Sequence, residues 1–149
     1  VGAKIKLFKN SINVKGPERI KSIKNITTKE YPGFPTDLAP QFMVLLCKAS
    51  GTSSITENIF QGRFLHAMEL QRLGAKITIK NRTAKIEGNT NFIAAEVMSS
   101  DLRASAALVL AGIVSKGNTV VTRVYHCDRG YENFENKLKK IGVKIKRLK

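Results

Sequence analysis

Five charged residues stand where a chain can present a ligand. Asp37 and Asp101 open apolar runs, Arg103 follows Asp101 by two positions, and Arg63 and Arg129 precede two further helical stretches. Arginine offers a planar fork that grips carboxylate or phosphate through two parallel hydrogen bonds, so Arg103 and Arg129 are suited to hold an anionic substrate between them. A helix start adds unpaired N–H groups and the positive end of the helix dipole, which also favour an anion. A plain structural reading stands beside this one. Ser100 or Asp101 caps its helix, Arg103 pairs with Asp101, and Arg129 ties loops together through Asp128 or Glu132. The heptad Tyr31-Pro32-Gly33-Phe34-Pro35-Thr36-Asp37 is the most unusual stretch. Two prolines and a glycine fix its backbone. A rigid aromatic loop delivering one carboxylate suits a sugar hydroxyl; a structural turn is the alternative.

The elements that must position these residues are written twice. Gly2-Ala3-Lys4-Ile5 returns as Gly74-Ala75-Lys76-Ile77 and again as Gly142-Val143-Lys144-Ile145. Thr36-Asp37-Leu38 answers Ser100-Asp101-Leu102, Gly51 answers Gly117, and Arg63 answers Arg129. Landmarks repeated in one order argue for duplication, with units of about 1–73 and 74–149. Each unit reads as an Asp-capped helix (37–50 and 101–115), a strand (53–56 and 119–124) and a second helix (64–73 and 131–141). A strand pair follows each second helix. From Ala104 to Val114 only Ser105 is polar, which predicts a helix buried on all sides. The helix over 131–141 is amphipathic, with Tyr131, Phe134, Leu138 and Ile141 on one stripe. Ala75, Ile77 and Ile79 are expected to face inward, and Gly74 and Gly142 to supply left-handed residues after the second helices. The alternation predicts an α/β layer with its apolar helices inside. The chain opens at Val1 on a strand pattern without the helices of that unit, so it is expected to be a fragment.

With 26 Lys+Arg against 11 Asp+Glu, the 149 residues carry a formal charge of +15. That excess fits a nucleic-acid binder or an enzyme of polyanionic small molecules. Much of it is lysine at alternate strand positions, such as Lys4 and Lys6 or Lys76 and Lys80, as on a solvated sheet face. There is no RRM-type aromatic signature and no basic helix. No apolar run is long enough to span a membrane. Cys47 and Cys127 lack metal-site spacing, so no metal is expected, and two unpatterned cysteines fit a reducing cytosol.

Four stretches together carry a resemblance: the heptad ending at Asp37, Phe60-Gln61-Gly62-Arg63-Phe64, the run from Ser100 to Gly112, and Tyr125-His126-Cys127-Asp128-Arg129-Gly130-Tyr131-Glu132. In order and over essentially all of the chain, they resemble the UDP-N-acetylglucosamine enolpyruvyl transferase family. The resemblance implies an inside-out α/β barrel of βαβαββ units, of which this chain holds about two of the three in one domain. It implies a C-terminal part that works against a missing N-terminal part across a cleft, with no cofactor and no metal, in the cytoplasm and in peptidoglycan synthesis. The implied partners are UDP-N-acetylglucosamine and phosphoenolpyruvate, not nucleic acid or membrane. By motif, Asp37 matches the carboxylate beside the sugar hydroxyl, expected to orient it and take its proton as the C–O bond forms. Arg129 matches a phosphoenolpyruvate ligand, Asp101 and Arg103 the loop on that side of the cleft, and Ile59 a backbone contact to the sugar nucleotide. The family's loop cysteine and Lys-Asn pair belong to parts absent here, and neither Cys47 nor Cys127 matches them. Two alternatives remain: the shikimate-pathway enolpyruvyl transferase, whose loops fit less well, and a basic RNA-binding or RNA-terminal phosphate cyclase-like module.

Overall fold

Two apolar segments rich in small and branched residues form the centre of the fold. The computed structural model describes residues 1–148. Helix α1 (Ala39–Cys47) has only Gln41 as a polar residue, and it packs against α3 (Leu102–Ile113) and α2 (Leu65–Arg72). Beneath α1 lies a four-stranded sheet in the order β3 (Ile26–Thr27), β4 (Thr52–Thr56), β6 (Thr83–Glu87), β5 (Lys76–Lys80). Met43, Leu46, Ile55, Leu70, Leu73, Ile86 and Leu108 are completely buried between these layers. Burying each such side chain contributes roughly 1.5–3 kcal/mol.

Strand β3 runs parallel to β4 with α1 as the crossover, and β7 (Glu96–Met98) runs parallel to β8 (Val120–Thr122) with α3 as the crossover. Parallel neighbours need such a crossover, because a short turn can only reverse the chain. Single hydrogen bonds recur along with the elements. Lys21 N donates to Val1 O at 3.1 Å, as Ile93 N donates to Leu73 O at 3.0 Å. Ser50 N donates to Ile20 O at 2.8 Å, as Lys116 N donates to Phe92 O at 2.9 Å. The second helices end alike. Gly74 and Gly142 both have φ 94°, and Ala75 N and Val143 N reach back to Leu70 O and Leu138 O at 3.0 and 3.1 Å. Only glycine takes that left-handed turn without steric cost. Gly88 answers a different constraint: a Cβ there would lie 1.9 Å from Ala49 O, where the end of β6 crosses the end of α1.

Several local expectations are corrected. Asp37 does not cap a helix; it lies in a 3₁₀ turn, Thr36–Leu38, and α1 starts after it at Ala39 with no side-chain cap. The helix expected over 131–141 is shortened to α5 (Phe134–Lys140), and a short helix, α4 (Tyr125–Asp128), precedes it where none was expected. Asn133, at φ 48°, breaks the helical path, and Gly130 presses against Leu102 of α3, where a Cβ would fall 2.9 Å from its methyl carbons. Ile141 is exposed, outside the stripe expected to cover it. Ile79 is 44 % exposed rather than inward, because β5 is an edge strand and this end of it borders an open groove. Helix α3 is buried from Ala104 to Leu108 and at Ala111, but Ile113 and Val114 at its end are exposed. Residues 143–148 form no strand, since no ladder partner meets them among the described residues. The hairpin of β1 (Lys4–Leu7) and β2 (Ile12–Lys15) is formed, with every residue of both strands exposed.

Candidate active site

Because α1 and α3 pack side by side, the turn before α1 meets the first turn of α3. The Arg103 Nε–H donates to Asp37 Oδ1 across that junction, and Arg63 Nη1 approaches the same oxygen at 3.5 Å. Both guanidiniums therefore engage Oδ1, and Oδ2 has no protein donor among the described residues. The pairing of Arg103 with Asp37, rather than with the Asp101 side chain, is a correction to the plain structural reading. Asp37 itself is exposed, whereas the two arginines are partly covered. The Arg63 guanidinium also lies 4.3 Å over the Phe60 ring, a cation–π contact that fixes its height.

Asp101 caps α3 as its Ser-Asp-x-Arg setting predicts. Oδ1 accepts from Arg103 N at 2.8 Å and Ala104 N at 3.1 Å, and Ser100 Oγ donates to Oδ2 at 3.2 Å. Burial alone would raise its pKa. The hydrogen bonds and the Arg103 charge outweigh it and hold the carboxyl below its ordinary 3.8. A depressed folded-state pKa means stability that is present above the unfolded value and lost as pH falls through the folded one. Asp101→Ala should cost about 0.5–2 kcal/mol near neutral pH by urea unfolding. The gap to wild type should shrink as the pH falls below about 4, where the carboxylate takes up its proton. A gap that stays constant with pH would show that the cap's charge contributes nothing.

Arg129 lies at the corner between α4 and α5, beside the Gly130–Leu102 contact that sets this corner against the start of α3. It is exposed and makes no ion pair among the described residues. The loop-tying partners expected for it are taken: Asp128 accepts from Arg147 at 2.7 and 2.9 Å, and Glu132 pairs with Lys137 at 3.6 Å. Arg147 also reaches Glu135 at 3.2 Å, so one guanidinium braces both sides of the corner. Nearby, Gln41 Nε2 donates to the Tyr131 hydroxyl at 3.3 Å, joining α1 to the same corner.

Ile59 belongs to a separate arm, and its anchor is a residue that the sequence reading missed. Glu57, just past β4, is 2 % exposed. Its Oε1 accepts from Ile59 N at 2.7 Å, Phe60 N at 3.0 Å and Thr28 Oγ1 at 2.8 Å. Its Oε2 accepts from Thr36 Oγ1 at 2.6 Å. Burial pushes this carboxyl up, but the four donors more than reverse the effect and leave its pKa below the ordinary value. Alternation along β4 was the available signal, since Ser53, Ile55 and Glu57 are the buried positions. Arg63 was legible only as half of a repeat. His66 was missed as well: it is buried on α2, its pKa pushed down to about 4 by burial against the opposing pull of Asp101. Beyond Glu57 an open groove runs over Phe60, Arg63, Leu65, Met68, Ile79 and Arg82. Among the described residues no group of His, Cys, Asp or Glu could hold a metal ion.

The site thus brings Asp37, Arg63 and Arg103 into contact, sets Arg129 at the adjoining corner, and holds Ile59 through Glu57. The family model described as EPSP synthase (3-phosphoshikimate 1-carboxyvinyltransferase) matches residues 1–138. The chain belongs to this family. Relatives within and around it are closer still. The protein called UDP-N-acetylglucosamine 1-carboxyvinyltransferase is 58 % identical in Pelagibacter ubique and 53 % in Desulfosudis oleivorans, each over 99 % of this chain and 35 % of the relative. In Helicobacter pylori the identity is 50 % over 100 % of this chain. The chain therefore spans about a third of the length of the curated relatives it matches. Among solved structures, the enolpyruvyl transferase NikO from Streptomyces tendae superposes with a TM-score of 0.89 at 24 % identity, over 97 % of this chain and 34 % of that one. EPSP synthase from Acinetobacter baumannii gives 0.68 at 18 % identity, over 99 % and 35 %. The fold is that of the enolpyruvyl transferases, part of an inside-out α/β barrel domain.

Proposed function

We propose that this chain is the C-terminal part of an enzyme that transfers enolpyruvate from phosphoenolpyruvate to the 3-hydroxyl of UDP-N-acetylglucosamine. The observation that carries the reading is the set of relatives of that name at 50–58 % identity over nearly the whole chain. The EPSP synthase structure, at 18 %, shares the fold alone. Asp37 holds the sugar hydroxyl through Oδ2 and takes its proton as the oxygen bonds to C2 of phosphoenolpyruvate, while a general acid from the other wall of the cleft delivers a proton to C3. Loss of a C3 proton and departure of phosphate then restore the double bond. Two arginines on Oδ1 keep the carboxylate oriented through these steps. Arg129, free of protein carboxylates among the described residues, and Arg103 hold the carboxylate and phosphate of phosphoenolpyruvate, beside the Asp101-capped turn. Ile59 offers its backbone to the sugar nucleotide.

The reading carries with it a place in cytoplasmic peptidoglycan synthesis, and with it cell-wall growth, cell shape and division. No described helix is long and apolar enough to cross a membrane. We also assign residues 1–73 and 74–149 to two repeat units, on the recurring crossovers and hydrogen bonds described above. The test is made on the full-length protein. It should release phosphate from phosphoenolpyruvate when given UDP-N-acetylglucosamine and not when given shikimate 3-phosphate; the reverse preference would overturn the proposal. The 149-residue chain alone should release none, since the other wall of the cleft is missing.

A further inference from the structure

We propose that Glu57 is a positioning residue: one buried carboxylate holds both the Asp37 turn and the Ile59–Phe60 backbone in register for the sugar nucleotide. This rests on the reading above, in which Asp37 and Ile59 are the contacts to that substrate. A buried carboxylate is costly unless its surroundings satisfy it, and a packed apolar side chain commonly stabilises a core at least as well. Among the described residues no cation bonds Glu57; the nearby Arg82 guanidinium donates to the Asn58 carbonyl at 3.3 Å instead. Its four bonds come from two hydroxyls and two backbone amides, and their placement is what matters.

Thr36 immediately precedes Asp37 in the 3₁₀ turn, so the 2.6 Å bond from its hydroxyl fixes the turn that aims the carboxylate. On the other oxygen, the amides of Ile59 and Phe60 point inward to Glu57, which leaves the Ile59 carbonyl side of the strand end for a ligand. Thr28 closes the unit by donating to Glu57 and accepting from Asn58 N at 2.9 Å. A carboxylate serves because it accepts several charge-assisted bonds in diverging directions, so the two arms share one origin. The phosphoenolpyruvate side makes no direct bond to Glu57: the Arg129 corner is braced through the Arg147–Asp128 pair and the start of α3 through Asp101, and only the Arg103–Asp37 pair links the two sides.

The variants Glu57→Ala, Glu57→Gln and Thr36→Val in the full-length protein separate these roles. Glu57→Ala should weaken UDP-N-acetylglucosamine binding by about tenfold or more, with KM for phosphoenolpyruvate within about twofold of wild type. Glu57→Gln keeps an acceptor for both amides and should recover most of that binding. Thr36→Val cuts only the Asp37 arm, so kcat should fall while sugar-nucleotide binding holds. Equal losses toward both substrates in Glu57→Ala, no recovery in Glu57→Gln, or wild-type kcat in Thr36→Val would each overturn the proposal. Amide exchange without substrate distinguishes this failure from failure of the parent reading. The amides of Leu38, Ile59 and Phe60 should exchange faster together in Glu57→Ala. That result with an inactive wild type would overturn the reading and leave the coupling standing, whereas unchanged exchange would overturn the coupling whatever the activity.

Discussion

Arg129→Ala in the full-length protein should raise KM for phosphoenolpyruvate about ten- to a hundredfold and leave UDP-N-acetylglucosamine affinity within about twofold. A charge-assisted bond from a guanidinium to a carboxylate or phosphate is worth roughly 1.5–3 kcal/mol, which sets that range. The structure sharpens the expectation. Arg129 has no protein carboxylate to release among the described residues, and its corner is held by Arg147 and by the Gly130–Leu102 contact rather than by its own side chain. Truncation should therefore remove a ligand contact without loosening the loop. Steady-state kinetics with each substrate varied in turn give the answer. Unchanged phosphoenolpyruvate kinetics would remove Arg129 from the site while leaving the family assignment intact.

Asp37→Asn should lower kcat about 10²–10⁴-fold, the usual worth of a positioned proton acceptor. Asparagine keeps the shape and one oxygen, so the turn from Thr36 to Leu38 has no reason to move. What it removes is the negative charge that faces two guanidiniums. Arg103 and Arg63 are then left without a carboxylate, and a nearby anion gains from their charge. KM for phosphoenolpyruvate is accordingly expected to hold or to fall. A KM that rises in step with the loss in kcat would show that Asp37 acts through Arg103 on the anion rather than on the sugar hydroxyl.

These expectations differ in how much of them the sequence could carry. The Asp101 cap was legible because Ser-Asp-x-Arg before an apolar run is a local signal, and local hydrogen bonds made it come true. The crossover helices were legible for the same reason. The union of Arg103 with Asp37 was not, since it depends on α1 and α3 lying side by side, a long-range outcome that no spacing encodes. Asp37 itself was misread as a cap: distant arginines, not helix N–H groups, claim its carboxylate. Glu57 stood on the inward beat of β4, yet acidic residues are so often solvated that its type hid what its position said. The late start of the helix after Asn133 turned on one backbone angle. The missing strand at 143–148 shows the reverse case, a strand pattern without a neighbour to pair with among the described residues.

Cys47 is completely buried and Cys127 nearly so, and neither is paired. Burial drives the Cys47 thiol up to about 12, against a small opposing effect of its Thr90 hydrogen bond. At neutral pH the thiol, not the thiolate, is the form present, even if a reagent could reach it. Burial and the neighbouring Asp128 raise the Cys127 thiol as well. Alkylation of these two sulfurs therefore clocks opening of the α1 layer and of the α4 corner, not intrinsic sulfur reactivity. An electrophile that labels the full-length protein within seconds should be finding a thiol outside this part of it. A pulse of the same reagent under mild denaturant would read out, site by site, which of the two packed regions gives way first.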